Sequence, residues 1–140
     1  MKQRCPSASF VNVAALFDFR LAFTRKSKNR GCGVADIVSS ADSKVWGVIF
    51  RIDETDVGKL DASEGYVPGR ATNAYRRIET RVFADANRDK PMTVWTYEVI
   101  DKSEVFKPND EYKALLVEGA RYWHLPDDYI EVLAGLEVQI

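Results

Sequence analysis

The 140-residue sequence predicts one α+β domain, covering residues 1–140. Several short runs are rich in β-branched and aromatic residues, which is typical of strands. Helical periodicity is concentrated in one short central segment and near the C-terminus, so strands and helices do not alternate as they do in a doubly wound sheet. The length is sufficient for one hydrophobic core without disulfides or a metal.

Six segments have the composition or the alternation of strands. In one of them, apolar residues and Thr alternate with charged residues, which indicates a strand with one face in solvent. The predicted strands cover residues 10–16, 20–23, 33–38, 45–52, 76–83 and 92–100. Loops rich in Gly, Asn, Asp, Ser or Pro are predicted at residues 27–31, 39–43, 67–74, 85–91 and 101–109.

Three helices are predicted, the first beginning with Asp53 and Asp56 at N-cap and N3 spacing and stopped at Gly65. The second has apolar or small residues at positions 112, 115, 116, 119, 120 and 123. The third follows Pro126, with apolar residues at positions 129, 132, 133 and 136. Because both patterns have helical spacing, we expect these two helices to lie against the sheet.

Charge and cysteine content argue against several classes of protein. Twenty Lys and Arg balance twenty-one Asp and Glu, and the basic stretch at residues 25–30 is too short to bind nucleic acid, so no nucleic-acid partner is expected. We interpret this stretch as a solvated loop, with an anion contact as the weaker alternative. No apolar run is long enough to span a bilayer, so no membrane partner is expected. Cys5 and Cys32 lack metal-ligand spacing, and His124 has no Cys or acidic partner at such spacing, so no metal is expected. Two lone thiols make a reduced, cytoplasmic setting the default, with a disulfide between them left open.

Six segments, in this order and at these spacings, resemble the γ-glutamylcyclotransferase family over nearly the whole chain. They are Arg-Cys-Pro-Ser-Ala at 4–8, Leu-Phe-Asp-Phe-Arg-Leu-Ala-Phe at 16–23, Gly-Val-Ala-Asp-Ile-Val at 33–38, Val-Trp-Gly-Val-Ile-Phe at 45–50, Leu-Asp-Ala-Ser-Glu-Gly at 60–65 and Pro-Asn-Asp-Glu-Tyr at 108–112. The resemblance implies a small mixed-sheet β-barrel flanked by helices, with the active site in a cavity at the barrel mouth.

The resemblance also implies a reaction and its acid/base residue. In this family the α-amine of a small-molecule γ-glutamyl substrate attacks its own γ-carbonyl, closing 5-oxoproline and releasing an amino acid or amine; no cofactor is implied. Glu64 matches the family's catalytic glutamate, because the Leu-Asp-x-x-Glu-Gly motif is unbroken. Its place after a short helix, near the negative end of the dipole, and partial burial would both raise its pKa and suit it to proton transfer near neutral pH. On residue type alone, Glu64 is a solvated surface glutamate.

Three further residues are expected to contact the substrate by the same resemblance: Gly65, Tyr75 and Tyr112. Tyr75 begins the strand after the glutamate, where its hydroxyl can line the cavity, and ordinary packing of a buried tyrosine is the alternative. Tyr112 is a similar case with weaker support. Asp61 is expected to be structural, accepting backbone hydrogen bonds near the turn.

One part of the family pattern is missing from these residues. Members open with a strand that ends in a Tyr-Gly-Ser-Asn turn ahead of the Arg-Cys-Pro segment, whereas here Met1 stands three residues before Arg4. We therefore expect the chain to begin downstream of its substrate-binding loop. We expect the 140-residue form to have little or no activity. We also expect a homodimer or a swapped segment to cover the open sheet edge. The alternatives are an internal Met1 and a catalytically silent barrel that serves as a small-molecule binding or protein-interaction module.

Overall fold

A computed structural model describes residues 6–28, 30–63, 73–103 and 106–139. Its elements, in chain order, are β1 (Ser9–Ser27), β2 (Cys32–Arg51), α1 (Glu54–Ser63), β3 (Tyr75–Ala84), β4 (Pro91–Val99), α2 (Asp110–Tyr122) and α3 (Asp127–Ala134). Strands come first and helices gather toward the C-terminal end, which confirms the α+β prediction.

β1 and β2 form one long antiparallel hairpin. We predicted two strands in place of each, with a loop at residues 39–43, and this was wrong. The pairing passes from Phe17↔Lys44 to Phe19↔Ser39, so residues 40–43 bulge opposite the single residue Asp18. Asp18 and Asp42 adopt left-handed backbone angles, with φ of 64° and 62°. Turn-forming residues thus produce a bulge within a continuous hairpin, because the chain pairs again on both sides of it.

The hairpin belongs to a four-stranded sheet of order β2-β1-β3-β4. Among the described residues, β1 pairs with β3 at Ala14↔Ala84 and Ala15↔Phe83, whereas β3 and β4 pair from Tyr75↔Val99 to Phe83↔Pro91. Every pairing among the described residues is antiparallel, although the family resemblance implied a mixed sheet. The order ends at β2 on one side and at β4 on the other, so the described strands form an open sheet.

The two C-terminal helices cover part of the hairpin, as their periodicity predicted. Their buried residues form the core cluster together with the loop between them, and apolar side chains of the hairpin pack against that cluster. α2 begins after Asn109, whose side-chain oxygen accepts a hydrogen bond of 2.8 Å from the Tyr112 N–H. The core cluster consists of Val117, Ala120, Leu125 and Leu133.

α1 is attached to the N-terminal segment through Ser7. The Asp56 carboxylate accepts hydrogen bonds from the Ser7 hydroxyl at 2.5 Å and the Ser7 N–H at 3.0 Å. The Ser7 hydroxyl in turn accepts from the Asp53 N–H at 2.9 Å, so one side chain ties together the start of the helix. The two hydrogen bonds from Ser7, the side-chain one first, hold the pKa of the Asp56 carboxyl below its usual range.

Candidate active site

The helix that leads to the predicted catalytic residue begins where the sequence placed it. α1 starts at Glu54, directly after the predicted N-cap Asp53, and its described residues run to Ser63. Glu64 and Gly65 lie outside the described residues, so their predicted roles stay predictions. The geometry of the site is therefore built from the residues around the end of α1.

A buried carboxylate lies at this end of α1. Asp61 is only 4% exposed, and it accepts a hydrogen bond from Arg77 Nη1 at 3.0 Å and another from the Tyr97 hydroxyl. Arg77 and Tyr97 are directly opposite each other across β3 and β4. A single carboxylate thus connects the helix to two strands. We expected Asp61 to be structural with backbone donors, and these two described partners are side chains far away in sequence.

Arg77 also contacts a tryptophan that faces solvent. Its guanidinium carbon is 4.0 Å from the centroid of the Trp95 ring, within the range of a cation–π interaction. Trp95 is 58% exposed, so it lies at the rim of the sheet face rather than in the core. Arg77 and Trp95 are diagonal neighbours on one face of the β3–β4 pair, which brings long side chains within reach.

A cavity of about 710 Å³ lies between the four strands and α1. This is within the roughly 300–1,000 Å³ typical of small-molecule sites. Arg77, Tyr97 and Leu60 line it, so the residues around Asp61 form part of its wall. Most of the remaining wall is apolar, including Val48, Phe50, Val57, Val82 and Val94.

Tyr75 is the first residue of β3, as predicted, and pairs with Val99. It is half-buried, and the Arg25 guanidinium lies 5.9 Å from its ring centroid. Because side chains alternate along a strand, Tyr75 shares a face with Arg77, two residues further on. The described cavity wall does not include Tyr75, and its substrate contact stays a prediction.

Tyr112 lies at the interface between α2 and the hairpin. Its hydroxyl accepts a hydrogen bond of 3.0 Å from the Ala35 N–H, and its ring meets Phe23 edge-on, with the centroids 6.4 Å apart. The Arg30 guanidinium carbon lies 4.9 Å from its ring centroid. These contacts serve packing of α2 on the hairpin, and a substrate contact by Tyr112 stays a prediction.

A second buried carboxylate went unnoticed in the sequence. Asp36 accepts from the Thr24 hydroxyl at 2.7 Å, the Val99 N–H at 3.0 Å and Lys102 Nζ at 2.6 Å. Lys102 also lies 3.5 Å from a Glu98 carboxylate oxygen. The group fixes the end of β4 that pairs with Tyr75. The sequence contained one signal of this site: Asp36 is the single charged residue in the otherwise apolar run 33–38. A carboxylate buried with such a run requires hydrogen-bond or charged partners.

Two classes of site are not seen in the described part of the chain. Residues 6–28, 30–63, 73–103 and 106–139 contain no group of three or more His, Cys, Asp or Glu side chains arranged to hold a metal ion. Within the same ranges, no helix combines the length and the apolar character that crossing a membrane requires.

These features define a class: an α+β protein with an open antiparallel sheet, a small-molecule-sized cavity, and a buried carboxylate cluster beside it. The model of the AIG2-like family matches residues 44–133. Curated γ-glutamylcyclotransferases are similar, the mouse protein at 33% identity over 138 residues and the human one at 32%. Each match covers 96% of this chain and 70% of the relative.

Solved structures agree with these sequence matches. A γ-glutamyl cyclotransferase structure superposes with a TM-score of 0.87 at 30% identity, covering 99% of this chain and 80% of its own. YkqA from Bacillus subtilis shares the fold, with a TM-score of 0.74 at 21% identity. The chain therefore belongs to the AIG2-like family and is γ-glutamylcyclotransferase-like. The resemblance drawn from the sequence motifs is confirmed.

Proposed function

We propose that this protein is a γ-glutamylcyclotransferase, which converts γ-glutamyl amino acids or amines into 5-oxoproline and the free amino acid or amine. The observation that carries the proposal is the 33% identity, spread over 96% of the chain, to a protein of that name. The unbroken motif from Leu60 to Gly65 and the cavity of about 710 Å³ beside its first residues support it.

The chemistry requires little from the protein beyond proton transfer and orientation. The substrate's α-amine forms the new bond to its own γ-carbonyl carbon, and the bond from that carbon to the departing nitrogen breaks. Glu64 takes a proton from the α-ammonium and delivers one to the departing nitrogen, so one carboxylate serves as base and then as acid. Because the amine and the carbonyl belong to one molecule, the protein has only to hold that molecule in the conformation in which the two groups meet.

The roles of the remaining predicted residues follow from the family resemblance. We propose that Gly65, Tyr75 and Tyr112 contact the γ-glutamyl group. The apolar wall of the cavity shields the reacting atoms from water, which strengthens each polar contact made there. No step uses a cofactor.

Replacement of Glu64 by Gln tests the assignment, because Gln keeps the shape of the side chain and removes the base. We expect release of 5-oxoproline from γ-glutamyl-alanine to fall by roughly two to four orders of magnitude. Glu118→Gln is the matched control, since Glu118 is exposed on α2, and it should retain full activity. Both variants are assayed in the 140-residue chain and in a form fused to the opening segment of the mouse relative.

Two results would contradict the proposal. Equal rates for the Glu64→Gln variant and the unsubstituted protein would remove Glu64 from the mechanism. Binding of γ-glutamyl-alanine without turnover by either form would leave a small-molecule binding module, the alternative function.

We also propose that a second copy of the chain covers the open sheet. Strand order among the described residues ends at β2 and β4, and strand edges of this kind pair readily with another chain. A homodimer would protect them. Sedimentation at increasing protein concentration measures the molar mass, and a monomer throughout would contradict the proposal.

The cellular compartment is a further proposal. The Cys32 thiol is free and fully buried, which fits a reducing, cytoplasmic setting. Fractionation of cells that express the tagged protein should recover it in the cytosolic fraction, and recovery from the secreted fraction would contradict this.

A further inference from the structure

We infer that Arg77 is a positioning residue for the acid/base Glu64 and that it acts through Asp61. The inference rests on the proposed function. It assigns a purpose to a cluster of which only Asp61 belongs to the family motif. The cluster consists of Asp61, Arg77, Tyr97 and Trp95 and is called here the α1 clamp.

The clamp holds the last turn of α1, three residues before Glu64 in the sequence. Asp61 is 4% exposed and carries two donors, Arg77 Nη1 at 3.0 Å and the Tyr97 hydroxyl. Hydrogen bonds to a charged carboxylate are stronger than neutral ones, and the buried setting strengthens them further. The carboxylate therefore has one well-defined position relative to β3 and β4.

Arg77 is itself held from two sides. Its side chain is only 22% exposed, one guanidinium nitrogen binds Asp61, and the guanidinium lies over the Trp95 ring at 4.0 Å. A planar guanidinium that is bonded and stacked at once has few alternative orientations. Arg77 thus holds the end of α1 in a fixed position relative to β3 and β4.

α1 needs such an attachment because it is short. Its described part has ten residues, and the last described turn contains no basic residue that could bond the carbonyl groups there. Isolated helices of this length are marginal in water, and their ends fray. Ser7 and Asp56 fasten the first turn, and the clamp fastens the last.

The same contact relates the two predicted site residues to each other. Tyr75 lies two residues before Arg77 on β3 and on the same face. Asp61 precedes Glu64 by three residues. A bond between Arg77 and Asp61 therefore fixes the strand that carries Tyr75 relative to the helix end that leads to Glu64. Misplacement by about 1 Å can cost on the order of a hundredfold in rate.

Arg77→Gln tests the inference, with Arg76→Gln as its matched control. Arg76 neighbours Arg77 on β3 and also pairs with a buried carboxylate, that of Glu98, but it has no described bond to α1. We expect kcat of Arg77→Gln to fall about a hundredfold while KM changes less than about threefold. Arg76→Gln should keep kcat within about threefold of the unsubstituted protein, because, of these two arginines, Arg77 is the one with a described bond to α1.

A second variant addresses folding. Arg77→Gln leaves the Asp61 charge without its described counter-charge, so the double variant Asp61→Asn with Arg77→Gln removes both charges. It should fold, as circular dichroism would show, and lose kcat about as much as the single variant. Arg77→Lys, which keeps the charge without the planar fork, should restore part of kcat. Hydrogen exchange of the α1 amides should be faster in Arg77→Gln than in Arg76→Gln.

The outcomes separate this inference from the proposed function. Absence of turnover by the unsubstituted protein, in both the 140-residue and the fused form, would overturn the function and the inference together. Turnover that survives in Arg77→Gln and in the double variant would overturn the inference alone. Equal losses in Arg76→Gln and Arg77→Gln would do the same, as would a loss of kcat in Arg77→Gln without faster exchange at the end of α1.

Discussion

Replacement of Lys102 by Met should strongly destabilise the protein, because Lys102 is the described counter-charge of a fully buried carboxylate. The Asp36 side chain is 0% exposed, and Lys102 Nζ lies 2.6 Å from its oxygen. Met keeps the length of the side chain and most of its apolar contacts, so the substitution mainly removes charge. Asp36 would keep the Thr24 hydroxyl and the Val99 N–H as donors.

The expected loss follows from this burial. Removing one partner of a buried ion pair costs about 3–5 kcal/mol, because the other charge stays in a poorly solvated place. Lys102 is 28% exposed, so water can replace part of its ammonium group, and we take the lower end, about 3 kcal/mol. For a domain of this size, that corresponds to a fall in Tm of roughly 10 °C.

Urea unfolding followed by circular dichroism measures the change, and Lys107→Met is the control. Lys107 pairs with Glu137 at 2.9 Å, but Glu137 is 81% exposed. An exposed pair contributes about 0–1 kcal/mol, so this control should lose less than about 1 kcal/mol. Losses that agree within about 0.5 kcal/mol in the two variants would refute the reasoning, since burial would then not decide the cost.

Two further predictions concern Ser7 and Gly33. Hydrogen bonds from Ser7 hold the pKa of the Asp56 carboxyl in the folded protein below its usual value. Their contribution to stability is therefore fully present above the pKa of the unfolded chain, and it is lost as the pH falls through the lower pKa of the folded protein. Unfolding of Ser7→Ala should therefore show its largest deficit near neutral pH and a shrinking one toward roughly pH 2, and a constant deficit would contradict this. In Gly33→Ala, the new Cβ would stand 2.8 Å from Phe106 Cβ, so we expect a loss of roughly 1–3 kcal/mol. Gly47→Ala, whose Cβ would meet nothing within 4 Å, is its control in the same unfolding assay, and equal losses would contradict the steric argument.

Much of the fold could be predicted from local sequence because the relevant interactions are local. The predicted strand at residues 76–83 is β3 to within one residue at each end, since its alternation reflects a strand with unequal faces. The helices at the C-terminus followed from their apolar spacing in the same way. The bulge at residues 40–43 was mistaken for a loop, because the local chemistry of a turn is the same in both.

The site divides along the same line. The motif from Leu60 to Gly65 identifies the family and names Glu64, and that information is contained in the order of residues. The partners of Asp61 could not be predicted, because Arg77 and Tyr97 lie 16 and 36 residues away from it in the sequence. Local sequence does not distinguish an arginine or tyrosine that bonds a distant carboxylate from one that faces solvent on a strand. Pairing across β3 and β4 brings them together.

By itself, the sequence determined the α+β class, the family and the motif that carries the predicted acid/base residue, because composition, periodicity and short motifs are properties of neighbouring residues. Only the tertiary structure decided that β1 and β2 are single long strands, that Asp36 and Asp61 are buried with specific donors, and that a cavity lies beside the end of α1. Burial and long-range pairing depend on which distant segments share space. A charged side chain gives no local sign of whether it will face water or a partner.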